Sequence, residues 1–531
     1  MWRDWLGRRS WQTGHVRQII LTNAHVEKQR GDQKPLIGGV LLTAFSPPPG
    51  LVSDDTSFAA EGRWTDGSNV RFRDGKPQVI GGWSTTGRAA LLGTCRSLHA
   101  WTIGNVFYCA MGTTARLYVE TGGALYDITP AADIAETGLW SFANYGNDLL
   151  AQSAGGTIYR WQGDTGADAG ALPNAPYYVG AGILVTPQRQ VLALFANEAL
   201  SGIVNPMCIR GSDLEDPTAW DSMATNNAFE HILDGPGRIV AGAIVGDHVV
   251  IWTDTALFLG TFLGDPGQTY RFEKIAADCG LYCQTAAVIV DQRAYWYGSD
   301  GRFWTWTVGM LPEHVECPLL KDLNDNLNRT RDTNLSRMFA TPVSRHGEIW
   351  WFYPRGGSAE CTNYVAFSTR DVAWFKGALA RTAFLDDPLI QRMLAPGGAA
   401  QIKITNCIGV DAAGIGYFHE YGSNANGAAL DWFIQSGDQS IEQSGRRMLV
   451  RGIVPDFKDQ LGNISLTLSC RDRPQSAAVV KGPYTLTPTT TKKDFRASGR
   501  ILAVKFSGGA ATGSFMRLGK VLFDVVPAGQ R

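Results

Sequence analysis

Between about residue 90 and residue 422 one short pattern recurs, and no other feature limits the possible folds of this chain so strongly. An apolar stretch runs into a tight turn and then into an aromatic-rich strand. The instances are "WTIGNVFYCA", "FANYGNDLLAQ", "LVTPQRQVLALF", "AIVGDHVVIW", "VIVDQRAYWY", "PVSRHGEIWWFY" and "GVDAAGIGYF". Their turns, at Gly104, Gly146, Gln188, Gly246, Asp291, Gly347 and Ala413, lie 42 to 66 residues apart. Propeller blades repeat every ~40–50 residues, and insertions account for the longer intervals. Several units continue into a second turn and strand, as in "MGTTARLYV", "SAGGTIYRW", "WTDTALFLG" and "GSDGRFWTW". Two linked hairpins make a four-stranded blade. Along Arg302–Val308 strand alternation puts Phe303, Thr305 and Thr307 on one face and Trp304, Trp306 and Val308 on the other. Apolar groups on both faces suit a sheet stacked between two others. The expectation is an all-β chain with a propeller of six or seven blades over residues 91–422. Two stacked sheets, or a string of small β domains, would give similar strands.

Composition agrees with short strands and tight turns: 61 Gly and 17 Trp in 531 residues, with 44% apolar and 18% charged residues. Lys plus Arg (48) nearly balance Asp plus Glu (49). The chain therefore lacks the global positive charge that drives non-specific nucleic-acid binding. Its nine cysteines are odd in number and scattered, which predicts reduced, buried thiols and no disulfide framework. "MWRDWLGRRSWQTGHVRQIILTN" has no apolar core of signal-peptide length, and no apolar run approaches the ~18 residues of a membrane helix. A soluble, unexported chain without a membrane span is expected.

The flanks differ from the repeat region. Residues 1–44 carry seven Lys or Arg against three acidic residues, interleaved with Trp2, Trp5 and Trp11. Arg3, Arg8 and Arg9 with these Trp make either an arm that docks on a partner or nucleic acid, or a variable leader. "SPPPG", Ser46 to Gly50, reads as a stiff spacer. Residues 45–90 form a β lead-in segment, and within the repeat region "NPMCIRGSDLEDPTAWDSMATN" is a turn-rich excursion. Leu319, Leu320, Leu323, Leu327 and Leu335, at mostly helical spacing, predict the main helix within Cys317–Ala340. After residue 422 the periodicity changes. "RRMLVRGIVPDF", "GNISLTLSCRD", "GRILAVKFSG" and "SFMRLGKVLFDVV" predict a separate C-terminal β-sandwich over 423–531.

Catalytic and metal signatures are lacking. "HVEC" and the Cys279/Cys283 spacing are not repeated in the paired form that structural zinc prefers. No G-x-S-x-G elbow occurs, and the Gly-rich runs lack the P-loop pattern. "DLNDN" lacks the Gly and distal Glu of a calcium loop. "GSDGRFWTW" is only partly like the Asp-box turns of sialidase propellers, and no arginine triad accompanies it. Asp386 with Asp387, or Glu313 with Glu316, read as turn or solvated residues rather than a glycosidase pair. No enzyme activity, cofactor or metal is expected.

One stretch carries a resemblance. "FSPPPGLVSDDTSFAAEGRWTDGSNVRFRDGKPQVIGGW" is similar to the corresponding segment of nozzle, or packaged-DNA stabilisation, proteins from the tails of short-tailed double-stranded DNA phages. Their pattern is a proline-marked start, a W-x-D-G-x-N-V-R-F-R-x-G strand pair and a GGW exit. Trp64, Asp66, Gly67, Asn69, Val70, Arg71, Phe72, Arg73, Gly75, Gly81, Gly82 and Trp83 match it. "RGSDLEDPTAW" resembles the family's D-P-x-x-W excursion. "GYFHEYGSNANGAAL" resembles its propeller exit, through Tyr417, His419, Glu420 and Gly422. "PDF", "RDRP", "GPY", "SGRILAVKFS" and "RLGKVLFDVVPAGQR" follow its closing module in order. The likeness is good over 45–90 and 410–531 and holds only in outline between them.

The resemblance implies a structural protein of the virion tail, made in the host cytoplasm. It implies a ring, of six copies, below portal and adaptor proteins and next to tail-fibre or tail-tip proteins. A peripheral propeller and a β platform would line a channel that passes double-stranded DNA without sequence-specific binding. "VRFRDG" then becomes a structural hairpin. Val70 and Phe72 are expected in the core and Arg71 and Arg73 on the other side, with Asp74-Gly75 as the turn. Alternatively Arg71 and Arg73 touch DNA phosphates or a neighbouring subunit. Two other readings stay open: a receptor-binding propeller that stacks host glycans on Trp350-Trp351 or Trp304-Trp306, and a polysaccharide hydrolase with a carboxylate pair in a central pocket.

Overall fold

The structure is a computed structural model that describes residues 41–131, 134, 139–266, 268–329, 337–392, 405–441, 446–508 and 513–528. Six four-stranded antiparallel sheets follow one another in chain order from Cys95 to Ala378, and a seventh, six-stranded sheet combines residues 383–429 with Trp83–Thr85, where Ala425 pairs parallel with Trp83. Blade 1 begins at Cys95–Ile103, blade 2 at Trp140–Tyr145, blade 3 at Ile183–Val185 and blade 4 at Ile239–Val245. Blades 5, 6 and 7 begin at Ala287–Val290, Phe339–Val343 and Ala383–Asp386. Residues from all seven first strands line one central channel of about 310 Å3, among them His99, Phe142, Ile183, Gly242, Ala287 and Phe384. First strands are therefore innermost, and the sheets are arranged radially as the blades of a propeller. Blade 7 lies directly beside blade 1, which closes the circle.

Hydroxyls join neighbouring blades near this axis. Ser97 Oγ donates to the Trp140 carbonyl (2.7 Å), Ser141 Oγ to that of Ile183 (3.3 Å) and Thr285 Oγ1 to that of Met338 (2.7 Å). Further out, aromatic side chains fill the gaps. Phe303 of blade 5 packs 4.7 Å from Trp351 and 4.6 Å from Trp374 of blade 6, centroid to centroid. Such edge-on and tilted contacts add to the area that each ring buries.

Six of the seven recurrent units are the first two strands of their blades, as the repeat predicts. The seventh is offset: "GVDAAGIGYF" supplies strands two and three, Cys407–Val410 and Gly416–His419. Its fourth strand is Trp83–Thr85, from more than 300 residues earlier, paired antiparallel with Tyr417–His419. The lead-in segment thus does not stop short of the propeller; it completes the last blade. The offset also explains why the last interval in the repeat is the longest.

The two ends of the described chain build the platform together. Leu41–Phe45 pairs with Val521–Pro527, which continues to Met448–Val454 and Lys493–Gly499. Trp64–Ser68 pairs with Phe433–Ser436, followed by Ile501–Gly508, Ile464–Arg471 and Val479–Leu486. The hairpin Val70–Arg73/Lys76–Val79 joins Phe515–Leu518 and Phe457–Leu461. Platform residues and blades 4 to 6 share one continuous apolar cluster that includes Trp64, Phe72, Trp296, Trp350 and Phe506.

Four expectations need correction. Leu41–Phe45 is a platform strand, so that part of the predicted 1–44 arm belongs to the fold. The "SPPPG" spacer is docked rather than free: Pro47 and Gly50 are buried, and Leu51 N–H donates to the Trp374 carbonyl (2.9 Å). The helix is limited to Leu320–Asn326, because Leu327 turns extended and bridges to Arg355; Leu335 lies outside the described residues. The C-terminal module contains more strands than the four predicted and is interleaved with the lead-in segment, not separate from it. No helix among the described residues is long and apolar enough to cross a membrane.

Closure of blade 7 rests in part on the Thr86 N–H, which donates to the Gly416 carbonyl (2.8 Å) at a buried position. Thr86→Pro deletes this donor, whereas Thr86→Val keeps it. Thermal denaturation is expected to show a clear drop in Tm for the proline variant, a cost of about 1–3 kcal/mol, relative to the valine variant. Equal Tm values would mean that the closing strand is not held by this bond.

Candidate functional site

The residues of the W-x-D-G-x-N-V-R-F-R-x-G stretch and of the H-E exit converge where the lead-in hairpin meets blades 6 and 7. Arg73-Asp74-Gly75-Lys76 is the tight turn, with φ of 50° at Asp74 and 75° at Gly75, the two left-handed positions that a type I′ hairpin requires. The Gly75 N–H donates to Oδ1 of Asp371 in blade 6 (2.7 Å), which fastens the turn to the propeller.

Two strand positions before this turn, Arg71 is 1% exposed and lies between two carboxylates. Its Nη1 and Nη2 donate to Glu420 at 2.6 and 2.8 Å, a bidentate pair, and its Nε lies 3.0 Å from Oε1 of Glu348. Its guanidinium also sits 6.0 Å from the centre of the Trp350 ring. Glu420 further accepts from His346 Nε2 (3.2 Å) and the Gly81 N–H (3.3 Å); Glu348 accepts from Trp350 Nε1 (2.9 Å). One side chain from the platform therefore ties blade 6, through Glu348 and His346, to the exit of blade 7, through Glu420.

The two carboxyls respond in opposite directions. Burial pushes both up. For Glu420 the bidentate Arg71 and the His346 contact override that effect and hold it well below the ordinary carboxylate range. For Glu348 burial prevails over its single Arg71 contact, and the carboxyl is raised. Burial also works against the charge on Arg71, but Glu348 and Glu420 outweigh it and fix the guanidinium as a cation. The difference in geometry, two hydrogen bonds against one close contact, accounts for the asymmetry.

Strand alternation puts Arg71 on the face opposite Val70 and Phe72, and it is buried on that face. At Arg71 the second face of the hairpin is covered by Glu348 of blade 6 and by Glu420. Buried as it is, Arg71 is not available to touch DNA or another subunit. Arg73 is exposed, with its Nε 4.0 Å from Asp74. Above the Arg71 cluster a cleft of about 400 Å3 is lined by Arg71, Arg73, Arg345 and Arg370 against Asp74, Glu348, Asp371 and Glu420, a balanced set of charges.

The other motif residues are also joints. Trp64 is fully buried and packs edge-on against Phe45 (5.5 Å). Asp66 accepts from its neighbour's Gly67 N–H (2.9 Å) and pairs with Lys376 of blade 6 (3.1 Å). At Gly67 a side chain would approach the Phe433 carbonyl to 3.2 Å. Asn69, at φ 55°, reaches the Ala378 and Asp431 carbonyls and accepts from the Tyr364 hydroxyl. Phe72 is buried in the shared core. The GGW exit exists because two backbones cross there. A Cβ on Gly81 would sit 2.6 Å from the Glu420 Cα, and one on Gly82 would sit 2.3 Å from the Asn424 carbonyl. Trp83 pairs with His419 in register and lies 5.6 Å from its ring. The His419 imidazole is buried, and with Arg381 beside it is held well below its ordinary pKa; its Nε2 accepts from Arg381 Nε (2.8 Å).

Trp2, Arg3, Trp5, Arg8, Arg9 and Trp11 lie outside the described residues. Glu348, His346, Lys376 and Arg381 were not singled out from the sequence. For Glu348 a signal existed: a lone acid heading the otherwise apolar strand "EIWWFY" requires a buried partner. Of the tryptophans considered for glycan stacking, Trp350, Trp351 and Trp306 are core residues, and Trp304 is half-buried between Trp296 and His314. Among the described residues no group of three or more His, Cys, Asp or Glu is placed to hold a metal ion.

No protein-family profile matches this chain, and no curated protein matches it. Among solved structures, the computationally designed Ika8 protein aligns over 64% of this chain and 100% of its own, at 11% identity and a TM-score of 0.36. That is too slight a likeness to carry an argument.

Removing Arg71 leaves two buried carboxylates without their cation. Arg71→Met is expected to cost about 3–5 kcal/mol in denaturant unfolding, and Glu420→Gln should cost more than Glu348→Gln. Because the folded-state pKa of Glu420 is depressed, its contribution is present above the ordinary glutamate value and is lost as pH falls through the folded one. Glu348, raised, works in the opposite sense: its contribution is present at low pH and is lost as pH rises through its folded value. Glu420→Gln should therefore flatten the loss of stability below about pH 4.3. An unchanged acid limb in that variant would refute the assignment.

Proposed function

We propose that this chain is a structural protein of a short-tailed phage virion: a tail nozzle. It assembles as a ring of six below the portal and adaptor, keeps the packaged genome in and passes it at ejection. The observation that carries this reading is the coincidence between family motif and joint. The residues of W-x-D-G-x-N-V-R-F-R-x-G, the GGW exit and the H-E exit are those that join platform to propeller. A motif spent on joining two bodies rather than on a reaction suits a structural part.

Two physical features support it. The axial space of the propeller, about 310 Å3 and lined by side chains of all seven blades, leaves no room for a DNA duplex. A DNA path therefore runs between copies, which calls for a ring, and head-to-tail contacts that close give one. The near-zero net charge of the chain suits a wall that lets a polyanion slide. Portal and adaptor above, and fibre or tip proteins beside or below, are the partners on this reading. The receptor-binding alternative loses the tryptophan platforms named for it, since three of the four are core.

Particles assembled without this protein provide the test. They are expected to package DNA and then lose it, measured as genome retained per particle against intact particles. Full retention combined with failed attachment to host cells would overturn the nozzle reading and favour receptor binding.

A further inference from the structure

Beside the central channel lies a second cavity, of about 210 Å3, lined by Leu139, Gly155, Tyr178, Phe195, Arg238 and Gln284 among others. It lies where the innermost strands of blades 2 to 5 begin, and Gln284 lines both this cavity and the central channel. Three observations set it apart from ordinary packing space.

First, two hydrogen-bonding groups on its wall have no protein partner. The Gln284 amide and the Tyr178 hydroxyl make no hydrogen bond among the described residues, and both side chains are only half-buried. Along the axis the hydroxyls of Ser97, Ser141 and Thr285 are all spent on neighbouring blades. Secondly, Phe195 has φ of 57°, the left-handed region that a bulky aromatic residue rarely occupies. Its carbonyl accepts from the Gly180 N–H (2.9 Å), and its ring lies 5.7 Å from that of Tyr178. Such conformations persist where surrounding structure enforces them, and they cluster at ligand sites. Thirdly, glycines clear the space for these walls. A Cβ on Gly180 would come within 2.9 Å of the Phe195 ring, and one on Gly182 within 2.9 Å of Gln284 Nε2.

The rings of Tyr178 and Phe195, with the Tyr178 hydroxyl, the Gln284 amide and the Arg238 guanidinium as polar groups around a small cavity, match the chemistry of a sugar ring. Its C–H face packs on aromatic carbon while its hydroxyls both donate and accept. No carboxylate lines the cavity. At about 210 Å3 it falls below the usual ~300 Å3 lower bound of drug-sized sites, which limits the ligand to a single ring. We propose that this pocket binds one saccharide unit, with Tyr178 and Phe195 as the stacking wall and Gln284 as the hydroxyl-bridging group. The site is independent of the nozzle reading and of the Arg71 cluster.

The test uses the full chain with D-glucose, D-galactose and N-acetyl-D-glucosamine, each followed by saturation-transfer NMR and calorimetry. At least one sugar is expected to bind, and Gln284→Leu and Tyr178→Ala are each expected to weaken it about tenfold with Tm retained. Gln284→Leu conserves volume and fills no new space, so it decides alone if Tyr178→Ala fails to fold. Absence of binding by all three sugars, or affinity unchanged in Gln284→Leu, would overturn the proposal.

Discussion

A guanidinium taken out of water must be met by carboxylates within reach, and the fold of this chain is arranged around one such meeting. Arg71 belongs to the platform, Glu348 to blade 6 and Glu420 to the strand that leaves blade 7. Each partner alone would be a buried charge that the core could not tolerate. Slippage of the hairpin by one residue would put Arg71 where Phe72 packs and leave both carboxylates orphaned, so the ion cluster fixes register more firmly than apolar packing can. Position of the platform relative to the propeller follows from the same contacts, with Asp66–Lys376 and Asp371–Gly75 as outlying ties.

Much of this architecture is legible in the sequence. The hairpin pattern alone gives the blades, because a strand pair with a Gly, Asn or Asp turn is a local event. Blade 7 is not legible in the same way. Its fourth strand comes from Trp83–Thr85, and no local periodicity reports a pairing across more than 300 residues. The helix Leu320–Asn326 is shorter than predicted for a comparable reason: leucine spacing suits a longer one, yet Leu327 is recruited to an extended bridge with Arg355.

At the site the motif residues were visible, but the burial of Arg71 between two carboxylates was not. Strand alternation says only that Arg71 points away from Val70 and Phe72; it cannot say that blade 6 covers that side too. The buried acid in "EIWWFY" held the missing information, because Glu348 has no reason to lie among aromatic residues unless a cation awaits it. Gln284 and Phe195 gave no sequence signal at all. An unspent amide and a left-handed phenylalanine can be seen only once seven blades have been brought to a common axis.

The pairing of Trp83 with His419 has a kinetic meaning. Most contacts within blades 1 to 6 join residues a few positions apart, and these sheets can form as the ribosome delivers them. Blade 7 and every platform sheet instead require the first and last parts of the described chain to be present together. Such high contact order slows the final step. It also leaves Trp83–Thr85 unpaired until Gly416–His419 has been made. The chain therefore acquires its platform only when its whole propeller already exists, and a product truncated before Val521–Pro527 lacks a complete platform sheet. The pairing of Leu41–Phe45 with Val521–Pro527, by forming last, makes a complete platform a check on the length of the polypeptide.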